Sequence, residues 1–585
     1  MKPISLVIII LFTFFQLGFT GSNNLSKISD ADSDFEKLAA DFINDYLEWN
    51  PQTAVYLGLH DYDGKVSKTD MPSLNLETAK IAEYQTKLEA IDPAALTSRN
   101  YFDYKILQNE INKQLFSAID RMPMMSNPMS YAGVIDVNIY ISRDFAPLEE
   151  RIKSIIKIEK AAPEIFANAR KNLYDVLAKP HVELAINIAK GSADFLSKDL
   201  LVALKDVKNE ALMKEFNDAN NAAIKELKDY ASWLETEKLP KANADYSLGK
   251  EKYQKMLSGG EFINYTPDEI LEIGMRHLKE EQKLFAEIAF KIDPTKKPIE
   301  VFKEIQKEHP TAEGLIPDTR KNLDAIRQYL IDNKIVSLPS DVKALVQETP
   351  QYARATSFAS MDTPGPFEKS TQAFYYVTPV ENHWDDKQKE EWLTAFNYYT
   401  TDVVSIHEAY PGHYVQFLHV NASDASKLQK IFGSYAFSEG WAHYTEQMMI
   451  EEGFGKDKGE MTALKYHLAQ LDESLLRYCR LCVSIMTHTQ GMNVDEATKF
   501  FMDNCYYEEQ PARSEAMRGT YDPGYLYYTL GKLMIYKLRA DYQKQEGSNF
   551  TLQKFHDEML RHGSPPVPLM REIMLKDKSI WKEIL

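Results

Sequence analysis

Residues 407–413 read HEAYPGH, in which two histidines flank an acidic residue. In an ordinary H-E-x-x-H helix the histidines are four residues apart, about 40° around the axis, so both can reach one zinc ion. Here the second histidine is His413, six residues after His407. On an unbroken helix of 3.6 residues per turn, that spacing separates the two side chains by about 240°. A continuous helix would therefore point the two imidazoles away from a common metal.

The Pro-Gly pair inside this segment argues against a continuous helix. Pro411 has no N–H, and its ring would clash with the carbonyl of His407 four residues earlier. Gly412 then permits an unusual backbone conformation. We expect the helix to kink, bulge or end within the segment, which could bring His413 back toward His407. In the alternative interpretation, one helix ends at His407 and another begins at His413, with no metal between them.

A second segment, SYAFSEGWAHYTEQMM at 434–449, supplies further ligand-type residues. Glu439, His443 and Glu446 lie at i, i+4 and i+7, on one face of a helix. Catalytic zinc sites can use two histidines and one glutamate, with the fourth position left for water. We predict Glu439 as the third ligand, with His443 as the alternative, and Glu446 as an acceptor that orients a ligand histidine. A solvated acidic helix face is the competing interpretation, which the aromatic residues between the acids disfavour.

The elements that must position these residues are mainly helices. Apolar residues recur three and four apart over 211–239, and Thr266, Pro267 and Glu269 have the spacing of an N-cap, first-turn proline and capping-box acid. Residues 337–384 differ, since four prolines and the segment AFYYVTPV predict short strands and loops. The glycines of SGGEF at 258–262 suggest a boundary. We predict an N-terminal helical lobe over 25–257 and a C-terminal catalytic lobe over 258–585.

Near the start of the chain of 585 residues, one lysine precedes an apolar run from Ile4 to about Phe19. Small and polar residues follow this run. This pattern predicts a secretory signal peptide over 1–21, and an uncleaved anchor is the alternative. No cysteine lies near the cleavage region, so we expect a periplasmic or secreted protein without lipid attachment and without stable membrane insertion after cleavage. The net charge of −18 disfavours nucleic-acid binding. The sequence leaves the oligomeric state open.

The three cysteines all lie late in the chain, at Cys479, Cys482 and Cys505. So few cysteines do not form a disulfide scaffold. Cys479 and Cys482 fall within an apolar helical segment, on one helix face. We interpret them as small buried residues, because no second C-x-x-C or histidine pair follows at a distance suited to a metal site.

Taken together, these segments resemble a bacterial family known as domain of unknown function 885. That family carries H-E-x-x-P-G-H followed by E-G-W-A-x-Y-x-E, which appear here as HEAYPGH and EGWAHYTE. Further on, EAMRGTYDPGYLYYTLGK is similar to the family's third conserved region and includes Glu515, Arg518, Tyr528 and Gly531. The resemblance covers about 260–585 well and the N-terminal half only by helical character.

Two departures from the family pattern concern the proposed site. Tyr525 replaces the family's usual glutamine, so a substrate contact is expected to differ. The segment SIMTH keeps His488 but has Ser484 at an acidic position and Met486 at a glycine. The role of this segment is therefore open.

The resemblance implies a mainly α, two-lobed, metallopeptidase-like fold with a deep groove between the lobes. With the strands predicted within 337–384, we expect a small β element near the active site. It also implies metal-dependent, peptidase-like activity on peptide substrates. From the residues we expect His407, His413 and Glu439 to bind one Zn²⁺ per chain, with Glu408 as general base.

Three further residues are candidates for stabilising the oxyanion of the reaction. They are His488, Tyr528 and Arg518. Arg518 could instead bind a substrate carboxylate, and Tyr528 could simply belong to a buried aromatic helix face. An amidase or esterase acting on non-peptide substrates would use the same site. A secreted binding protein with a vestigial metal site is the remaining alternative, which the intact Glu408 disfavours.

Overall fold

The computed structural model describes residues 30–350, 354, 358–369 and 372–585, and the predicted signal peptide lies outside them. The described chain is mainly α-helical with one small sheet, which confirms the predicted fold class. The two lobes and the deep groove stay predictions. Within the described ranges, no helix has both the length and the apolar character that a membrane crossing requires.

Within the described residues, sixteen α-helices precede the sheet. Where the sequence predicted a capped start, at Thr266, the side chain accepts from the backbone N–H of Glu269 and the glutamate completes the capping box. The helices are α1 Asp30–Trp49, α2 Pro51–Tyr56, α3 Met71–Glu89, α4 Ser98–Leu115, α5 Pro123–Ser126, α6 Met129–Ala132, α7 Ile139–Ser142, α8 Leu148–Lys160, α9 Ala162–Asn172, α10 Lys179–Ser197, α11 Asp199–Ala203, α12 Glu210–Trp233, α13 Lys250–Glu261, α14 Pro267–Ile292, α15 Pro298–Ile305 and α16 Leu315–Asp332.

The three strands lie in the proline-rich region, where the sequence predicted them. They are β1 Leu345–Glu348, β2 Ala359–Asp362 and β3 Phe374–Val377. The central strand β3 pairs parallel with β1 and antiparallel with β2. The buried Tyr375 of β3 accepts a hydrogen bond from Ser405 (Oγ to OH 3.3 Å), so the sheet packs beside the helix that carries His407.

In the part of the chain that the structure describes, eleven α-helices follow the sheet. Two of them, α18 and α21, contain most of the ligand-type residues, and all three cysteines lie buried and unpaired on α22 and α23, as expected for small buried residues. The helices are α17 Asp386–Ala395, α18 Tyr398–Glu408, α19 His413–Ala422, α20 Lys427–Ile431, α21 Tyr435–Glu451, α22 Glu460–Thr489, α23 Val494–Cys505, α24 Glu509–Tyr521, α25 Tyr527–Glu546, α26 Leu552–Leu560 and α27 Val567–Met574.

The buried apolar residues form three cores. One core lies entirely within residues 55–234, and the largest draws nearly all of its residues from 253 onward. The third joins α1, α3 and α4 to the C-terminal segment, where Phe42 and Tyr46 contact the ring of Phe432 at centroid distances of 5.9 and 4.9 Å. The division at 257/258 stays a prediction, but α1 and α4 contact the C-terminal segment directly.

Helices α21 and α25 cross in close contact at two glycines. A Cβ atom on Gly440 would lie 2.5 Å from Cα of Gly531, and a Cβ on Gly531 would lie 1.9 Å from the carbonyl oxygen of Ala436. Neither position can therefore accept a side chain without moving one helix. This crossing places Tyr528 of α25 near Glu439 of α21.

Candidate metal centre

The HEAYPGH segment forms a tight turn between two helices. His407 lies in the last turn of α18, and His413 is the first residue of α19. Although the helix ends, the two imidazole rings meet edge to face with centroids 4.9 Å apart. The structure thus combines the separate helices of the alternative interpretation with the close histidines that a shared metal requires.

Gly412 makes the tightness of this turn possible. Its N–H donates to the carbonyl of Ile406 (2.9 Å), and a Cβ atom at this position would lie 1.7 Å from the carbonyl oxygen of His407. The indole N–H of Trp441 donates to the carbonyls of Pro411 and Gly412 at 3.1 and 3.3 Å. Trp441 of the EGWAHYTE segment therefore donates the hydrogen bonds that hold the turn of the HEAYPGH segment.

Glu439 completes a cluster of three possible ligands. Its Oε2 atom lies 3.5 Å from Nε2 of His407 and 3.5 Å from Nε2 of His413. One ligand atom from each of the three residues lies within 4.8 Å of the others. The same Oε2 atom is buried without a hydrogen-bond partner of normal geometry.

This donor set fits a divalent metal such as zinc. Zinc bonds to histidine nitrogen and carboxylate oxygen are about 2.0–2.2 Å, so two ligand atoms of a tetrahedral site lie about 3.3–3.6 Å apart. Both measured separations from Glu439 fall in that range. Although burial lowers the pKa of His407, its contacts with Glu439 and Glu446 raise it overall, to about 9. The surroundings of the imidazole therefore favour a positive charge, which a bound cation would supply.

Glu446 holds His407 from the side away from Glu439. Its Oε1 atom accepts from Nδ1 of His407 at 2.7 Å and pairs with Arg477 at 3.1 Å. Glu446 is fully buried, yet Arg477 and the histidines keep its pKa far below the usual range against the effect of burial. This is the orienting contact expected for Glu446, which leaves Nε2 of His407 directed at Glu439.

His443, the alternative ligand, is not part of the cluster. Its Nδ1 faces Oε2 of Glu446 at 3.3 Å, and its ring is completely buried. Burial, with Lys532 nearby, lowers the pKa of His443 well below its usual value. We therefore place His443 behind the cluster as a neutral neighbour of Glu446.

Tyr528 lies beside the cluster. Its ring is nearly parallel to that of His407, with centroids 6.4 Å apart. Burial raises the pKa of Tyr528, and the nearby Glu439 adds to this while Arg480 and Arg518 oppose it. The guanidinium of Arg518 lies 5.8 Å from the ring centre of Tyr528. Tyr528 is therefore brought beside the cluster, and Arg518 lies next to Tyr528.

Arg518 and Arg480 are already paired within the protein. Arg518 donates to Asp522 at 3.0 and 3.1 Å and to the hydroxyl of Tyr435 at 3.2 Å. Arg480 makes a bidentate pair with Glu515 at 2.7 and 2.8 Å. Both arginines are therefore fixed in position by these carboxylates, which also neutralise part of their charge.

His488 is held by backbone groups and not by members of the cluster. Its Nε2–H donates to the carbonyl of Gly519 (2.8 Å), and its Nδ1 accepts from the N–H of Leu248 (3.3 Å). Burial lowers its pKa to about 4, so the ring is neutral and both nitrogens are occupied. Ser484, one turn earlier, is held by Tyr253 and the carbonyl of Pro523, and both residues serve the packing of α22.

Glu408 is adjacent to His407 at the end of α18 and is half-buried. Within the part of the chain that the structure describes, its carboxylate has no hydrogen bond or ion pair. A carboxylate left unpaired beside the cluster is available to accept a proton.

Two buried arginines near the cluster escaped the sequence analysis. Arg477 and Arg480 lie three residues apart on α22, in the otherwise apolar segment LLRYCRLCV. Charged residues are almost never fully buried unless they are paired. Two arginines inside an apolar helix are therefore the signal that could have identified them.

The chain belongs to the family described as bacterial protein of unknown function (DUF885), whose model matches residues 51–574. The match confirms the family resemblance and extends it through most of the N-terminal half. No curated protein matches the sequence.

Two solved structures share the fold. A candidate lipoprotein of unknown function from Shewanella oneidensis is 27% identical, with a TM-score of 0.77, over 93% of this chain and 100% of its own. A candidate lipoprotein from Colwellia psychrerythraea is 17% identical, with the same TM-score of 0.77, over 95% of this chain and 100% of its own.

Proposed function

We propose that this protein is a zinc-dependent hydrolase that cleaves peptide bonds, with His407, His413 and Glu439 holding one Zn²⁺. The observation that carries the proposal is the convergence of these three residues around one buried carboxylate oxygen, which makes no hydrogen bond of normal geometry. The orienting contact from Glu446 to His407 supports it, because metal-bound histidines usually donate their other N–H to such an acceptor.

A bound Zn²⁺ would supply a Lewis acid that lowers the pKa of water to about 7 and polarises the scissile carbonyl. Glu408, beside His407 and without a partner of its own, takes the proton of the attacking water. The same carboxyl group then gives that proton to the leaving amine. Glu446 and Trp441 hold His407 and the Pro411–Gly412 turn in place during these transfers.

Tyr528 is our candidate for stabilising the oxyanion. Its hydroxyl belongs to a side chain stacked near His407, and the raised pKa keeps the hydroxyl protonated as a donor. Arg518 acts through this tyrosine, because its guanidinium lies near the ring while Asp522 fixes its position.

We also propose that the protein is exported through a signal peptide at residues 1–21 and acts outside the cytoplasm. The descriptions of the two solved relatives as candidate lipoproteins support export. Cell fractionation with an antibody to the protein tests this, and a purely cytoplasmic signal would contradict it.

Metal content by elemental analysis is the experiment that tests the site. We expect about one zinc per chain in the wild type and none in His407→Ala or Glu439→Ala, with His562→Ala as a control outside the cluster. Glu408→Gln should retain zinc but lose hydrolysis of a peptide library by about 100-fold or more. Full activity in Glu408→Gln, or full zinc in His407→Ala, would overturn the corresponding assignment.

The alternatives use the same site and differ in their substrates. An amidase or esterase would cleave non-peptide amides or esters faster than peptides under matched conditions. A binding protein with a vestigial site would hold zinc without turning over any of these substrates. Profiling the zinc-loaded protein on all three substrate classes separates the possibilities.

A further inference from the structure

A cavity of about 690 Å³ lies between α14, α21 and α22, away from the candidate metal centre. It is lined at the C-terminal part of α21 by Gln447 and Ile450, and the lining includes none of the three possible metal ligands. At a rise of 1.5 Å per residue, Ile450 lies about 16 Å along the helix from Glu439. The volume is in the range of about 300–1,000 Å³ that small-molecule sites occupy.

Two polar groups in this lining lack partners. Glu281 has a buried Oε2 atom with no hydrogen bond, and Gln470, only 1% exposed, has a buried side-chain amide nitrogen with none. Buried polar groups in proteins nearly always have partners. The residues that line the cavity therefore include one unsatisfied carboxylate oxygen and one unsatisfied amide nitrogen.

The carboxylate of Glu281 is neutralised from one side only. Its Oε1 atom lies 4.0 Å from the ammonium of the buried Lys532, which donates to Gln447 and Ser474 at 3.2 Å each. Burial raises the pKa of Glu281, and Lys532 opposes the rise. A cationic donor on the cavity side would satisfy the remaining oxygen.

The charged residues around the cavity favour a cation as well. Three acidic residues line it, Glu281, Glu451 and Glu460, and the lining also contains the positively charged Lys456. Arg539 approaches Glu451 at 3.7 Å and offsets one of these acids only in part. The rest of the wall is apolar and is formed by Leu284, Ile450, Phe454, Leu464 and Leu471.

We propose that this cavity binds an apolar α-amino acid, either free or as the amino-terminal residue of a short peptide. The ammonium group pairs with Oε2 of Glu281, the carboxylate or first carbonyl accepts from Gln470, and the side chain packs on the apolar wall. This binding site goes beyond the proposed hydrolysis and does not depend on it.

Isothermal titration calorimetry with L-leucine tests the site in the full-length protein. We expect 4-methylpentanoate, which lacks the ammonium group, and 3-methylbutylamine, which lacks the carboxylate, each to bind about tenfold or more weakly than leucine. Glu281→Gln and Gln470→Met should each weaken leucine binding about tenfold or more, while Glu460→Gln at the rim changes it less than about threefold.

Ala463→Phe fills the cavity without touching the polar pair and should abolish binding in a protein that melts like the wild type. If Glu281→Gln does not fold, Ala463→Phe still tests the proposal. Leucyl-leucine titrated into Glu408→Gln, where hydrolysis is expected to be blocked, separates the two ligand sources. Tighter binding of the dipeptide indicates a peptide amino terminus, and equal or weaker binding indicates the free amino acid.

His407→Ala separates this site from the metal centre. Leucine binding retained in His407→Ala and lost in Ala463→Phe supports the cavity, whether or not the protein proves to be a hydrolase. Binding lost in His407→Ala but unchanged in Glu281→Gln and Ala463→Phe would place the ligand at the metal centre and overturn the proposal. No binding to the wild type at millimolar leucine would also overturn it.

Discussion

At the scale of single residues, Glu446 links the HEAYPGH segment to the EGWAHYTE segment. Its Oε1 atom accepts from Nδ1 of His407 at 2.7 Å, and its Oε2 atom faces Nδ1 of His443 at 3.3 Å. Because Glu446 occupies Nδ1 of His407, Nε2 is the nitrogen that faces Glu439 and that would bind the metal in the proposed site. Arg477 pairs with Glu446 and fixes the direction of the acceptor.

Replacing Glu446 should therefore weaken metal binding without removing a ligand. We expect Glu446→Gln to reduce zinc affinity about 10- to 100-fold, since the amide is a weaker acceptor and can turn its donor toward His407. Competition with a chromophoric chelator measures this affinity. Glu473→Gln is the matched control, because Glu473 also pairs with Arg477 but does not contact His407. Equal affinity in the two variants would contradict the orienting role.

Residue types and spacing predicted the three possible ligands that the structure brings together, but not every neighbour. His407, His413 and Glu439 were predicted from a kinked motif and a helix face, because both are local patterns. The partners of His488 are Leu248 and Gly519, 240 and 31 residues away in sequence. Nothing local indicates that they occupy both ring nitrogens, so the surroundings of His488 could not be predicted from the sequence.

At the scale of elements, the turn between α18 and α19 was likewise predicted only in part from the sequence. Pro411 and Gly412 predicted that the helix would kink, bulge or end, and it ends. How closely the histidines meet depends on Trp441 of α21, whose N–H binds the turn's carbonyls. That contact joins segments about 30 residues apart, so the proline and glycine could not predict it alone.

The close crossing of α21 and α25 at two glycines leads to a prediction about the packing of these helices. In Gly531→Ala the new methyl would meet the carbonyl of Ala436, so the helices must separate and carry Glu439 away from the histidines. We expect the free energy of unfolding to fall by about 1–3 kcal/mol, together with weaker zinc binding. Urea denaturation and chelator competition measure the two effects.

Gly191→Ala on α10 is the control for this substitution. No atom lies within 4 Å of the added methyl, so this variant should be as stable as the wild type or slightly more stable. If Gly531→Ala matched Gly191→Ala in both stability and zinc affinity, the close crossing would not matter for the site.

At the scale of the whole molecule, helical character was predictable and the arrangement of cores was not. Helix periodicity and caps are local, which is why α12 and α14 appear where the sequence predicted them. The third core depends on contacts such as Tyr46 with Phe432, nearly 400 residues apart. Such pairings follow from the total shape of the apolar faces, which one sequence does not reveal.

The core within residues 55–234 surrounds a carboxyl group that should make the stability of the molecule depend on pH. Glu159 of α8 is fully buried, neither carboxyl oxygen has a hydrogen-bond partner, and burial raises its pKa to about 8. Between the ordinary pKa near 4.5 and about 8, the folded state binds more protons at this residue than the unfolded state. The free energy of unfolding therefore falls as pH rises through this window, and the stabilising effect of the neutral carboxyl is fully present only below it.

Glu159→Gln should flatten this pH dependence, because the neutral amide has no proton to lose. We expect the wild type to lose on the order of 1–4 kcal/mol of unfolding free energy relative to Glu159→Gln between pH 5 and pH 8. Urea denaturation at half-unit pH intervals measures the difference, and comparing variants cancels the contributions of other titrating groups. Glu164→Gln, at an exposed position on α9, should follow the wild type. Parallel curves for wild type and Glu159→Gln would mean that Glu159 is already charged, and hence solvated, in the folded protein.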